Sequence, residues 1–263
     1  MLWPMHVEII PNVTDNNCLF LHGNLASNRW WVKTISEWQK IAREEKRNKK
    51  GLLILAEWRG CGQSSPPSSI DDLHPDNLAL DHISLLEGLS LEQADLVGHS
   101  TGGLIALAAL SLKPKLFRRA VLLDTVPAKG LHFPPEAIQG LEMMRQDRHV
   151  CAQMLRNAIM NFDYDSDFFV DLINDAMNCH EFVWTGIPKI LTSLNIESRL
   201  SSIRHPILIV HGKKDVVIDY GSSLDLSEKL ANSQIVLLED AGHSPNLELP
   251  ICFARMLDKF FSG

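Results

Sequence analysis

Ser100 lies between Gly98 on one side and Gly102 and Gly103 on the other, in the stretch DLVGHSTGGLIALAALSL. A short apolar run precedes it and a longer one follows, which is the sequence form of strand, tight turn and helix. Gly-x-Ser-x-Gly in that context sets a serine on a sharp bend with its hydroxyl projecting, a nucleophile elbow. The backbone at such a serine is strained. Side chains two residues to either side would strike the neighbouring strand and helix, so glycine is required there. The helix that follows aims its first N–H groups at any negative charge that develops nearby.

A serine hydroxyl needs a base, and the base needs an acid to orient it. In this architecture the chain order is serine, acid, histidine. Asp215, in PILIVHGKKDVVI, follows an apolar run by a few residues, and His243, in LLEDAGHSPNLELP, is the only histidine beyond it. Asp124, closing AVLLDT, is a rival acid, read here as a carboxylate that caps its loop. Asp240 reads as a brace within its own loop. Two N–H groups should hold the oxyanion: that of Thr101, and that of Asn24, which follows His22–Gly23 in CLFLHGNLAS. The chemistry this set supports is two-step acyl transfer. Ser100 attacks a carbonyl, His243 takes its proton, Asp215 holds the imidazole, and water then releases the acyl group. Neither a cofactor nor a metal is required.

Six short apolar runs would carry these groups: Cys18–Leu21, Leu52–Leu55, Ala94–Val97, Ala120–Leu123, Ile207–Val210 and Ile235–Leu238. Their alternation with helical patterns implies an α/β protein with a mostly parallel central sheet flanked by helices. Asp76 is the expected cap of a helix bearing Ala79, Ile83 and Leu86, and Pro250 opens a last helix with Phe253, Leu257, Phe260 and Phe261 on one stripe. Between Pro127 and Arg204 the rhythm breaks into helical patterns alone, punctuated by Pro134–Pro135 and by Asn161–Asp167. The chain therefore divides into a core, 1–126 and 205–263, and a helical insertion, 127–204. Large apolar residues in the insertion and after Asn24 serve mainly as packing; Trp31, Met144, Phe169 and Trp184 are the candidates for lining a substrate pocket.

The chain of 263 residues is 45% hydrophobic and 22% charged, enough to bury a core of ordinary size. A formal charge of −7 argues against nucleic acid as a partner, and the basic cluster Arg43–Lys50 reads as the solvated end of a helix. Five cysteines without CxxC spacing suggest neither a disulfide framework nor a zinc site. No basic leader opens the sequence, and no apolar run reaches the ~18 residues of a membrane span. These features predict a cytoplasmic protein without an integral membrane segment.

With these motifs in hand, the sequence resembles the α/β-hydrolase superfamily, in particular its esterases and lipases. The matching stretches are Leu21-His22-Gly23-Asn24, Arg59-Gly60-Cys61-Gly62-Gln63-Ser64, Gly98 to Gly103, His211-Gly212 with Asp215, and Gly242-His243-Ser244-Pro245. The resemblance implies an α/β-hydrolase fold, a helical cap inserted after the sixth strand, and a carboxylesterase-like or lipase-like serine hydrolase; the lack of an arginine cluster for an anionic substrate favours small to medium, mainly uncharged esters. The same triad also serves C–C bond hydrolases, thioesterases and perhydrolases, and the fold also hosts ligand-binding receptors. One departure is Glu57, where the family commonly has Asp, which puts the hydrogen bonding of that loop in question. Gly60 and Gly62 lack the third glycine of a dinucleotide fingerprint.

Overall fold

A computed structural model describes residues 4–11, 13–45 and 50–262. All six anticipated runs are strands, and they build one sheet with a seventh that periodicity did not reveal. Strand β1 (His6–Pro11) leads into β2 (Cys18–Leu21), helix α1 (Val32–Glu44), β3 (Leu52–Glu57), α2 (Pro75–Gly88), β4 (Ala94–His99), α3 (Thr101–Leu112) and β5 (Phe117–Leu123). The sheet order is β1-β3-β2-β4-β5 and then, from the end of the chain, β6 (Ile207–Gly212) and β7 (Ser233–Leu238). Every pairing is parallel except β1 with β3. The antiparallel β1 lies on the edge with most of its residues partly exposed, so it lacks the doubly buried apolar run that marks the others.

The inner strands are apolar on both faces because both faces are covered. Leu19, Leu21, Ile54, Leu96, Leu122 and Ile209 point to one side, into a core shared with α2 and α3. Their neighbours Phe20, Leu55, Val97, Val121 and Val210 point to the other. There α1 packs against α11 (Pro250–Ser262), whose Phe253, Leu257 and Phe261 are buried as expected. The basic cluster after α1 falls largely on residues 46–49, outside the described residues.

Between β5 and β6 the chain makes only helices: α4 (Pro135–Gln146), α5 (Arg148–Ala158), α6 (Asp167–Met177), α7 (Glu181–Ser193) and the single turn α8 (Glu197–Leu200). Asp147 caps α5 by accepting from His149 N–H at 2.7 Å, and Ser166 caps α6. The insertion thus follows the fifth strand of this chain, not a sixth, since only β1 to β5 precede it among the described residues. After β6 come α9 (Gly221–Lys229), β7, α10 (Pro245–Glu248) and α11.

Asp76 does not cap α2. His74 does, its ring accepting from Asp76 N–H at 3.3 Å, while the Asp76 carboxylate receives two N–H groups of Arg199, in α8, at 2.6 and 2.9 Å. Arg29 similarly reaches Asp171 and Asp175 of α6, at 3.0 and 2.9 Å. Such half-exposed pairs contribute little energy each, but they fix how the insertion sits on the core. All five cysteines are free thiols. No helix among the described residues is long and apolar enough to cross a membrane.

Candidate active site

Ser100 joins β4 to α3 with φ +54° and ψ −119°, a conformation that non-glycine residues adopt only under constraint. The glycines leave no alternative packing. A Cβ on Gly98 would lie 2.5 Å from Gly102 O, and one on Gly102 would lie 2.1 Å from Leu21 O. Ser100 N–H donates to Leu123 O at 2.9 Å, which ties the elbow to the end of β5.

The structure brings the anticipated acid and base to this serine. His243 Nε2 is 3.1 Å from Ser100 Oγ, and His243 Nδ1 is 2.7 Å from Asp215 Oδ2. Asp215 is placed by its own turn after β6, where Val217 N–H and Ile218 N–H donate to Oδ1 at 2.7 and 3.0 Å. His211 Nε2 approaches Oδ2 at 3.2 Å while also donating to Ile218 O. Burial alone would raise the Asp215 carboxyl; the imidazole of His243 and the hydrogen bonds from His211, His243 and Ile218 outweigh it and hold the group well below the usual carboxylate range. It is therefore an anion at neutral pH, suited to fix the Nδ1–H tautomer that leaves Nε2 free to accept from the serine.

His243 itself is anchored on both sides. Its N–H donates to Ala158 O, at the end of α5, at 3.1 Å, and its carbonyl accepts from His99 Nε2 at 2.7 Å. Burial pushes His99 down to about 3, so it is a neutral donor. Glu248 holds the same loop by accepting from Gly242 N–H and Ser244 N–H at 2.6 and 3.0 Å. No role for His99 or Glu248 is evident from spacing, since both act through backbone groups that pattern alone does not locate.

On the other side of Ser100, a Cβ on Gly23 would come within 3.1 Å of Ser100 Cβ, so glycine lets this loop close onto the serine. Asn24 and Thr101 both border the same cavity as Ser100 and His243. Leu25, next in the loop, is held at φ +55°, a strained position with no sequence signal. His22 steadies the turn by donating from Nδ1 to Gly23 O at 2.8 Å and accepting Trp58 N–H at Nε2. Glu57 does the work expected of a shorter acid, accepting from Asn28 N–H at 3.1 Å and Gln63 N–H at 2.7 Å, so the hydrogen bonding of that loop is intact. Asp240 braces a different loop from its own, through Lys214 Nζ at 2.7 Å.

The cavity holds about 240 Å³ and runs from Ser100 beneath the insertion. Met144 lines it, as anticipated, with Leu141 of the same helix and Leu155 and Leu191 from α5 and α7. Three other candidates do not. Trp31 is fully buried on the opposite face of the sheet, 5.1 Å from the Phe20 ring; a short 3-10 turn, Asn28–Trp31, sends its neighbour Trp30 to the cavity instead. Phe169 packs inside the insertion against Tyr164 and Phe162. Trp184 faces a separate depression with Ile138 and Lys189. Met154 and Val217, 44% and 47% exposed, border the cavity and so mark its mouth.

Asn24, Ser100, Asp215 and His243 all follow the carboxyl ends of parallel strands, where α/β proteins build their sites. A sheet of this order with a nucleophile elbow at that edge defines a hydrolase scaffold. The chain belongs to the alpha/beta hydrolase family, whose model matches residues 18–251. Among its relatives is the 2-hydroxymuconate semialdehyde hydrolase of Pseudomonas sp. strain CF600, 26% identical over 261 residues, covering 93% of this chain and 86% of that one. The 3-oxoadipate enol-lactonase 2 of Acinetobacter baylyi is 25% identical over 250 residues, covering 93% and 88%. An esterase of Exiguobacterium antarcticum superposes with a TM-score of 0.85 at 20% identity, over 98% of this chain and 96% of that one.

Proposed function

We propose that this hydrolase cleaves small to medium, uncharged carboxylic esters through an acyl-enzyme on Ser100. His243 takes the serine proton and returns it to the leaving alcohol, and Asp215 orients and stabilises the imidazolium. The N–H groups of Asn24 and Thr101 hold the oxyanion. The helical insertion, 127–204, acts as a cap whose inner face limits the acyl group. A dry site of this kind strengthens the oxyanion hydrogen bonds.

The observation that carries the reading is the lining of the cavity. Apart from Ser100, Thr101, Asn24 and the two histidines it is apolar, and no Lys, Arg, Asp or Glu borders it among the described residues. Compounds of the kind that the names muconate and adipate denote are carboxylates. Buried without a cationic partner, such an anion would be costly to desolvate. The relatives' chemistry nevertheless makes C–C and lactone cleavage the competing outcomes.

A substrate panel tests this directly: p-nitrophenyl esters, an aryl thioester, a neutral lactone and a 2-hydroxy-6-oxodienoate, compared by kcat/KM. Neutral esters are expected to be turned over best. Faster cleavage of the dienoate than of any ester would overturn the assignment.

A further inference from the structure

The triad leaves one buried carboxyl beside it unused. Asp124, completely buried, follows β5 at φ +43°, beside β6, which leads to Asp215. Its Oδ1 accepts from Gly212 N–H at 2.8 Å, and its Oδ2 is buried with no partner among the described residues. Oxygens of Asp124 and Asp215 and a ring nitrogen of His243 all lie within 4.8 Å of one another. His211 Nε2, on β6, stands 3.6 Å from Asp124 Oδ1.

We propose that Asp124 is a second positioning acid for His243: it holds the proton of a two-carboxyl pair while Asp215 carries the charge, and it takes over that charge when Asp215 cannot ionise. This rests on the triad reading above. The present division follows from the donors each carboxylate receives. Asp215 has Val217 N–H, Ile218 N–H, His211 and His243. Asp124 has the one N–H of Gly212. Two carboxylates this close cannot both be ionised cheaply, so one keeps a proton. The groups facing Asp124 agree: burial first, then the charge of Asp215 and more weakly that of Glu248, push its carboxyl well above the usual range, against the single hydrogen bond from Gly212.

A purely structural role would not need this residue. Asparagine would offer the same oxygen to Gly212 without a group that can ionise, so that contact does not call for an acid at this buried position. The cluster makes sense if the ionisable group is itself of use. Without the charge of Asp215, the electrostatic penalty on Asp124 falls, its carboxyl releases its proton to water, and a side-chain rotation spans the short distance to Nδ1.

The test is a double-mutant cycle, with the rate at which a fluorophosphonate labels Ser100 as readout beside kcat/KM, each from pH 5 to 9. Asp124→Asn keeps the Gly212 contact and is expected to show the smallest loss. Asp215→Asn together with Asp124→Asn is expected to show the whole loss of tautomer control, about 10⁴-fold. Asp215→Asn alone should retain labelling about 10²-fold faster than the double variant and gain with pH as Asp124 ionises, where the double variant gains less. Equal rates for those two variants would overturn the proposal. A wild type that does not label at Ser100 would instead overturn the triad reading. Should the double variant fail to fold, the His243 Nδ1–H proton resonance of Asp215→Asn decides: a strongly downfield signal supports a carboxylate partner, and its loss refutes one.

Discussion

Met144→Ala separates cavity wall from ordinary core. Met144 is only 6% exposed, yet it borders the cavity that begins at Ser100. Truncation removes Cγ, Sδ and Cε, three methylene-sized groups, each contributing about 0.8 kcal/mol when buried. An acyl chain long enough to fill the vacated space could recover at most about 2.4 kcal/mol, or about 50-fold in kcat/KM. Butyrate, too short to reach it, gains nothing. The octanoate-to-butyrate ratio for p-nitrophenyl esters should therefore rise by between tenfold and about 50-fold. Stability should fall by about 2 kcal/mol, the low end for a Met→Ala change, because one side of the residue already faces open space. Phe169→Ala and Trp184→Ala provide the contrast, since neither side chain reaches the cavity: each should cost about 3–5 kcal/mol and leave the chain-length profile unchanged. The measurement is the profile from acetate to octanoate with urea denaturation of the same preparations. If Met144→Ala leaves the ratio within twofold while Phe169→Ala or Trp184→Ala shifts it, the acyl group does not bind where this cavity lies.

Ser100→Ala should keep the melting temperature and lose kcat for esters by about 10⁶-fold, the loss seen when another triad enzyme is stripped of its serine; fluorophosphonate labelling at a different serine would contradict it. Gly102→Ala should lower stability by 3 kcal/mol or more, above the ordinary range of overpacking, because its Cβ would meet the Leu21 and His22 carbonyl oxygens at 2.1 and 2.5 Å; thermal melting reads this. Asp95, below the sheet's active edge, is pushed up to about 6 by burial, against the charges of Arg118 and Arg119. Its folded value exceeds the unfolded ~3.9, so it contributes stability at low pH that is lost as pH rises through the window from about 4 to 6. Asp95→Asn should therefore gain about 2–3 kcal/mol relative to wild type at pH 7.5 compared with pH 4. Equal differences at the two pH values would refute this linkage.

That Ser100, Asp215 and His243 come together was legible because their positions are dictated by backbone geometry, which leaves glycines and strand ends in the sequence. The inner strands were legible for the same reason: burial on two faces writes an unbroken apolar run. Strand β1 was not, because an edge strand needs no such run. Trp30 and Trp31 show a different limit. Both are large, apolar and buried, and only the 3-10 turn that contains them decides which one meets the cavity. Phe169, Trp184 and Met144 pose the same difficulty, since an apolar stripe records that a face is covered and carries no mark of whether a side chain or a void covers it. Asp76 is not the helix cap because Pro75 takes the first helical position, which puts the cap at His74; the Asp76 carboxylate goes instead to Arg199, distant in sequence.

The anchoring of His243 bears on how such enzymes diversify. Its N–H is held by Ala158 O of the insertion and its carbonyl by His99 of the core, so His243 hangs between the two parts of the chain. A chimera that exchanges residues 127–204 for the helical block of a relative would change the acceptor above the histidine along with the pocket. Grafts that break after Met160, and so retain the native end of α5, should keep His243 in register. Those that replace Ala158 must supply a carbonyl at the same height. Lineages free to reshape this block for new substrates are, on this geometry, least free at that one peptide group.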